Sequence, residues 1–191
     1  MSKTPTLTVF GGPNGSGKTT VTRHYPVSGV YINADIIKVQ QNCTDREAAE
    51  IATALREKYL KMDEDFTFES VLSTPRNYEV MRKAKDMGKR VVCIYVLTNN
   101  PDINVARVKK RNRNGNDVPE EKVRIRYMRA MKLFPQLFEV CSELYVFDNS
   151  CDRSMGEPRE IIRFCNGKLT MMPNEIWSVE MLEALCIGKY E

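Results

Sequence analysis

Nothing in this chain approaches the ~20 consecutive apolar residues that a membrane-spanning helix needs, so a helical membrane protein is excluded and a water-soluble one is expected. The opening residues, Met1-Ser-Lys-Thr-Pro5, run straight into a strand-like stretch. They lack the apolar core and small-residue cleavage site of a secretory signal, which makes the cytoplasm the expected compartment. Cysteine pairs in C-x-x-C spacing are missing too: the six cysteines stand scattered at 43, 93, 141, 151, 165 and 186. That pattern argues against a cysteine zinc site and against a disulfide scaffold, and predicts reduced thiols. Cys93, inside the apolar run Val91-Val-Cys-Ile-Tyr-Val-Leu97, reads as a small core hydrophobe. Histidine occurs once, and His24, beside Tyr25-Pro26, reads as a helix C-terminal cap. Internal repeats and low-complexity linkers are also lacking, so residues 1–191 are read as a single domain.

The order of elements carries the fold. Short β-branched runs alternate with longer helical ones. Leu7-Thr-Val-Phe10 is the first predicted strand, followed by a glycine-rich loop and a short helix ending before Pro26. Gly29-Val-Tyr-Ile-Asn33 reads as a second strand, Asp45 to about Lys61 as a helix, Phe66 to Leu72 as a third strand, and Pro75 to about Gly88 as a helix. Arg90 to Leu97 is so uniformly apolar that it predicts a parallel strand covered on both faces, at or near the sheet's centre. A helix from Pro101 to about Arg113 follows, then Asn114-Gly-Asn-Asp117, then a second long helix to about Val140, with Asp117 and Glu120 as a capping box. Leu144-Tyr-Val-Phe147 is the fifth predicted strand. A hairpin of Ile161 to Phe164 and Lys168 to Met171 around Asn166-Gly167, and a helix near Val179 to Leu185, close the chain. Five βα units with short connections predict an open parallel α/β sheet with helices on both faces, plus a small C-terminal hairpin and helix.

Between the first strand and the first helix stands Gly12-Pro13-Asn14-Gly15-Ser16-Gly17-Lys18-Thr19-Thr20. Gly12 and Gly17 five apart, followed by Lys-Thr, form the phosphate-loop pattern in the strand-to-helix context that gives it meaning. Inward-turned backbone N–H groups must approach the phosphates closely, which side chains at the glycines would forbid. Lys18 is expected on the β and γ oxygens, and Thr19 on Mg²⁺. The predicted ligand is therefore ATP or GTP with magnesium.

Asp35 follows the second strand, at the carboxyl edge where ligands bind in open parallel sheets. It is a candidate catalytic base, and spacing alone equally allows a helix N-cap. Glu69 interrupts the apolar and hydroxyl-bearing run Phe66-Thr-Phe-Glu69-Ser70. A bare buried carboxylate is costly, so Glu69 is read as facing a site, holding Mg²⁺ through water or touching substrate; an exposed edge strand is the alternative. Ser70 and Arg76 are read as substrate contacts. The net charge is only +4, yet Lys109, Lys110, Arg111, Arg113, Arg124, Arg126 and Arg129 crowd one stretch. Arg107 and Arg111 share one helix face and Arg126 and Arg129 another, suiting a lid-like segment over about 101–140 that brings arginines onto a transferring phosphoryl group; a solvated helix face is the alternative.

Four segments together carry a family likeness. Gly12 through Thr20, Asn33-Ala-Asp35, Phe68-Glu-Ser-Val-Leu-Ser73, and Arg107-Val with Val118-Pro-Glu-Glu and Arg126-Tyr resemble the zeta-toxin-like P-loop kinases, particularly their short free-standing members. The resemblance spans roughly residues 6 to 150. It implies an ATP- or GTP-dependent kinase acting on a small-molecule hydroxyl, with UDP-N-acetylglucosamine as the acceptor in the best understood members. Asp35 takes the place of the catalytic aspartate, Glu69 that of a substrate-site glutamate, and Arg107 or Arg111 together with Arg126 those of the γ-phosphate arginines. Short relatives often carry Gly-Gly-His where this chain has Asn114-Gly115-Asn116, and full zeta toxins are longer. An antitoxin partner does not follow from the sequence. Two other readings remain: a polynucleotide 5′-hydroxyl kinase, and a non-enzymatic nucleotide switch. Aromatics make up 8% of the chain and do not interleave with the basic stretch beyond Tyr127 and Phe134, which weighs against nucleic acid.

Overall fold

A computed structural model describes residues 4–111, 118–151 and 157–190. Seven strands form one sheet. In chain order they are β1 (Thr6–Gly11), β2 (Val30–Ile32), β3 (Phe66–Ser70), β4 (Arg90–Leu97), β5 (Glu143–Asp148), β6 (Arg159–Cys165) and β7 (Lys168–Met171). Their spatial order is β2-β3-β1-β4-β5-β6-β7. The first five are parallel, and β6 and β7 add an antiparallel extension beside β5. The helices are α1 (Lys18–Thr22), α2 (Ala34–Gln41), α3 (Asp45–Leu60), α4 (Pro75–Asp86), α5 (Pro101–Arg111), α6 (Glu120–Leu133), α7 (Gln136–Val140) and α8 (Val179–Cys186). This is the predicted open α/β sheet, with β4 in its middle.

The apolar pattern explains the two faces. Leu7, Val9, Phe66, Phe68, Cys93 and Tyr95 point to one side and form the larger core with α3, α4, α6, α7 and α8. Phe10, Ile94 and Val96, the alternating residues of β1 and β4, pack on Val21 of α1 on the other side. Cys93 is buried as a small hydrophobe, and all six cysteines are free. Among the described residues no helix is long and apolar enough to cross a membrane.

Three local readings change. The long helix expected up to Val140 is two helices, because Pro135 lacks the N–H that a continuous helix would use; it opens α7 instead. From Tyr127 to Val140 this segment is packed into the main core, and only Val105, Val108 and Val123 make a separate small cluster between α5 and α6. α1 ends at Thr22 with Arg23 as its C-cap, so His24 is not the cap; its ring accepts a 3.0 Å bond from Arg23 Nε. Residues 114–117, including the Asp117 half of the capping box, lie outside the described residues, and Pro119 is the N-cap of α6.

Candidate active site

The phosphate loop leaves β1 at Gly11 and wraps into α1. Gly15 and Gly17 both have positive φ, 76° and 87°. A Cβ on Gly15 would lie 2.4 Å from the Asn104 carbonyl oxygen, so the helix α5 backbone is pressed against the loop tip. Gly15→Ala is therefore expected to push the loop off α5 and weaken ATP binding by about tenfold or more, since the left-handed conformation alone costs about 1–2 kcal/mol. Titration calorimetry checks this.

Three asparagines hold the loop, and of these only Asn14 is marked by the sequence motif. Asn104 is fully buried; its Nδ2 donates to the Asn14 carbonyl at 2.6 Å, and its Oδ1 accepts from Thr98 Oγ1. Asn149, just past β5, donates from Nδ2 to the Ser16 carbonyl at 2.7 Å. The Asn14 side chain accepts from Arg126 Nη1 at 3.3 Å. A signal existed in hindsight: short polar residues just past strand ends in a parallel sheet are placed to reach the loop. Only the fold tells which ones do.

Lys18 Nζ donates to the carbonyls of Gly12 at 2.9 Å and Pro13 at 3.2 Å, and stands 3.9 Å from Glu69 Oε1. Its side chain is 11% exposed. Burial pulls its pKa below the ordinary lysine value and the Arg111 charge acts the same way, while Glu69 and Asp35 oppose the shift. Glu69 sits on β3, an interior strand paired on both sides, which removes the edge-strand alternative. Its Oε2 accepts from Tyr31 O–H at 2.8 Å and Asn33 Nδ2 at 3.2 Å. Burial, with the Glu69 charge adding to it, pushes the Tyr31 phenol up to about 12, so it stays a proton donor to the carboxylate.

Asp35 is not the helix cap. Asn33 caps α2, accepting from the Asp35 N–H at 2.9 Å, and leaves the Asp35 carboxylate exposed in the first turn. A cleft of about 670 Å³ is lined by Gly15, Gly17, Lys18, Thr19, Thr20, Glu69, Arg107, Lys110, Arg111 and Asn149, among others. Its size suits a nucleotide-sized ligand. Arg107 lines it while donating to the carbonyls of Asn149 at 2.7 Å and Cys151 at 3.0 Å, so its guanidinium helps to fix the end of β5. Arg126 lies outside this lining and reaches the loop through Asn14. Ser70 is not in this lining, and its Oγ accepts from Leu72 N–H and from Asn77 Nδ2 at 2.6 Å. Arg76 is exposed on α4, also outside the cleft lining. Among the described residues no group of three or more His, Cys, Asp or Glu is placed to hold a metal.

No family model matches the chain. A Haemophilus influenzae protein described only as uncharacterized is 32% identical over 123 residues, which are 61% of this chain and 88% of that one. The chain belongs to that protein's family. Among solved structures, a chain of the AvrRxo1-ORF1:-ORF2 complex with ATP superposes with a TM-score of 0.72 at 14% identity over 98% of this chain. This chain spans only 65% of that one's length. A chain from the PezAT chromosomal toxin-antitoxin system of Streptococcus pneumoniae gives a TM-score of 0.55 at 16% identity, covering 78% of this chain and 70% of that one. At these identities the likeness establishes the fold that this member of the family shares with them, a kinase-like P-loop fold.

Proposed function

We propose that the chain is a P-loop phosphotransferase that moves the γ-phosphoryl group of ATP or GTP to the hydroxyl of a small molecule. The observation that carries this reading is the cleft of about 670 Å³, lined on one side by Gly15, Gly17, Lys18 and Thr19 of the phosphate loop and on the other by Arg107, Lys110 and Arg111. A helix start, an ammonium and guanidiniums around one nucleotide-sized space match the charge of a polyphosphate. Gly12, where a Cβ would meet the Val96 carbonyl at 2.0 Å, lets the loop pack against β4.

Each residue then has a task. Lys18 exchanges its two carbonyl partners for β and γ oxygens, a charge-assisted contact stronger than the neutral ones it leaves. Asp35, whose charge is felt at Lys18, is the group that orients the acceptor hydroxyl and takes its proton. Glu69, held by Tyr31 and Asn33, fixes Lys18 from the opposite side and faces the acceptor. Arg111 brings positive charge to the cleft for the transferring group, and Arg126 steadies Asn14. The Thr19 hydroxyl and the Glu69 carboxylate are the groups that fit Mg²⁺, which when bound neutralises charge on the phosphates.

A sugar nucleotide is the acceptor favoured within this reading, following the resemblance to zeta-toxin-like kinases. The PezAT likeness supports it at the level of fold alone, and a protein partner, as in the AvrRxo1-ORF1:-ORF2 complex and the PezAT toxin-antitoxin system, is a further proposal of the same kind. Tyr127 and Phe134, the aromatics nearest the basic stretch, are both buried in the core. They offer no stacking platform, which favours a small acceptor over a polynucleotide. The test is incubation with γ-labelled ATP, magnesium and a panel of UDP-sugars, nucleosides and 5′-hydroxyl oligonucleotides, read by mass spectrometry. Label in a UDP-sugar or nucleoside is the expected result. Label in the oligonucleotide alone overturns the small-acceptor reading, and tight ATP binding without any product favours a nucleotide switch.

A further inference from the structure

Arg56, on α3, played no part in the sequence reading, and its surroundings are unusual for a cation. The side chain is only partly exposed, and its guanidinium lies 5.3 Å from the centre of the Phe68 ring. Its hydrogen bonds all go to neutral acceptors: Nε to the Ala52 carbonyl at 3.1 Å, Nη1 to Asn77 Oδ1 at 3.0 Å and Nη2 to Thr53 Oγ1 at 3.4 Å. Three of its five N–H donors are thus used, and one remains on each terminal nitrogen. No carboxylate among the described residues pairs with Arg56 or with Arg76, although nine other described lysines and arginines do have one within 4.0 Å.

Arg76 compounds the imbalance. It sits in the first turn of α4, where the helix end is positive, and no acidic residue accompanies it. The Thr74 N-cap makes no side-chain bond to the first turn. Arg76 adjoins Asn77, which holds Arg56, and burial, with the charge of Arg76 adding to it, lowers the Arg56 pKa. Two guanidiniums and an uncapped helix start therefore gather around one point without a counter-charge. Local rules broken in this way, with nothing nearby to compensate, are typical of binding sites.

The point lies beside the candidate centre. Asn77 is bonded to Ser70, the residue after Glu69, so the cluster sits at the carboxyl end of β3, where ligands meet a parallel sheet. Phe68 belongs to the larger core while the Glu69 partner Tyr31 packs on Phe10 of the smaller one, so the cluster and Glu69 occupy opposite sides of the same sheet edge.

We propose that Arg56 and Arg76 form a phosphate-binding subsite, which holds an anionic group of the acceptor while its hydroxyl lies at Asp35 and Glu69. This assignment rests on the phosphotransferase reading for its role, but not for its existence. Asn77 positions Arg56, and Arg76 closes over the anion from the exposed side.

The experiment uses the full chain loaded with adenylyl-imidodiphosphate and magnesium, so that the phosphate loop and the γ position are filled. Inorganic phosphate is then titrated while the arginine Nε–H resonances are followed by NMR. Saturable shifts of the Arg56 and Arg76 signals are expected, with affinity falling about tenfold or more in Arg76→Gln and Arg56→Gln. Arg76 is exposed, so Arg76→Gln keeps the test alive should Arg56→Gln not fold. Competition by UMP or by glucose 1-phosphate supports the subsite and tells a nucleoside-borne phosphate from a sugar-borne one. Absence of saturable phosphate binding, or equal affinity in Arg76→Gln, overturns the subsite even if phosphoryl transfer is found. Failure of the analogue to bind overturns the nucleotide reading instead, and phosphate titration of the free chain then decides the subsite alone.

Discussion

Lys18→Ala is expected to lower ATP affinity by roughly a hundredfold or more and to leave the fold intact. Lys18 is 11% exposed, and in the cleft its ammonium group stands where anionic oxygens would be desolvated. Removing one partner of such a buried charge contact costs about 3–5 kcal/mol, and each 1.4 kcal/mol is a factor of ten. On the other side of the balance, the free protein loses only two hydrogen bonds, those to the Gly12 and Pro13 carbonyls, while the loop backbone keeps its bonds to Asn104 and Asn149. Calorimetric titration with circular dichroism as the control measures both quantities. Wild-type affinity in a folded variant would sink the phosphate-loop reading.

Asp35→Asn should behave differently, keeping ATP binding while phosphoryl transfer drops by about a hundredfold or more. Because Asn33 already caps α2, the Asp35 carboxylate has no structural bond to lose, and asparagine preserves its shape. Only the ability to accept a proton from the acceptor hydroxyl disappears. Single-turnover assays with labelled ATP separate binding from chemistry here. Unchanged turnover would strip Asp35 of its proposed role and leave it an ordinary first-turn acidic residue, stabilising the helix end by a few tenths of a kcal/mol.

Much of this architecture was legible because its signals are local. The uniformly apolar stretch from Arg90 to Leu97 announced the central strand, and the glycines from Gly12 to Gly17 announced a loop between β1 and α1, since both depend on residues adjacent in sequence. The Asn166-Gly167 turn did likewise: both residues adopt positive φ, 52° and 74°, as the tight hairpin requires. What stayed hidden depends on distant residues. Asn104 and Asn149 look like ordinary helix and loop asparagines until the sheet brings them to the loop. Arg56 reads as one more charge on a solvated helix face until Phe68 and Asn77 enclose it. The α2 helix is visible in the sequence only as the alternative that makes Asp35 an N-cap; the cap is Asn33 two residues earlier, and Ile37 alone of its eight residues is buried.

The bonds that shape the phosphate loop also bear on how the chain acquires its activity during folding. The Asn104 bond to Asn14 spans 90 residues and the Asn149 bond to Ser16 spans 133. Contacts of such sequence separation form only after much of the chain's conformational freedom has been surrendered, because closing long loops costs entropy before it is rewarded. The loop precedes β5 by more than a hundred residues, so one of its two clamps is translated long after the loop itself. Competence to bind nucleotide is therefore a late property of the folding protein, withheld until the sheet is assembled through its fifth strand.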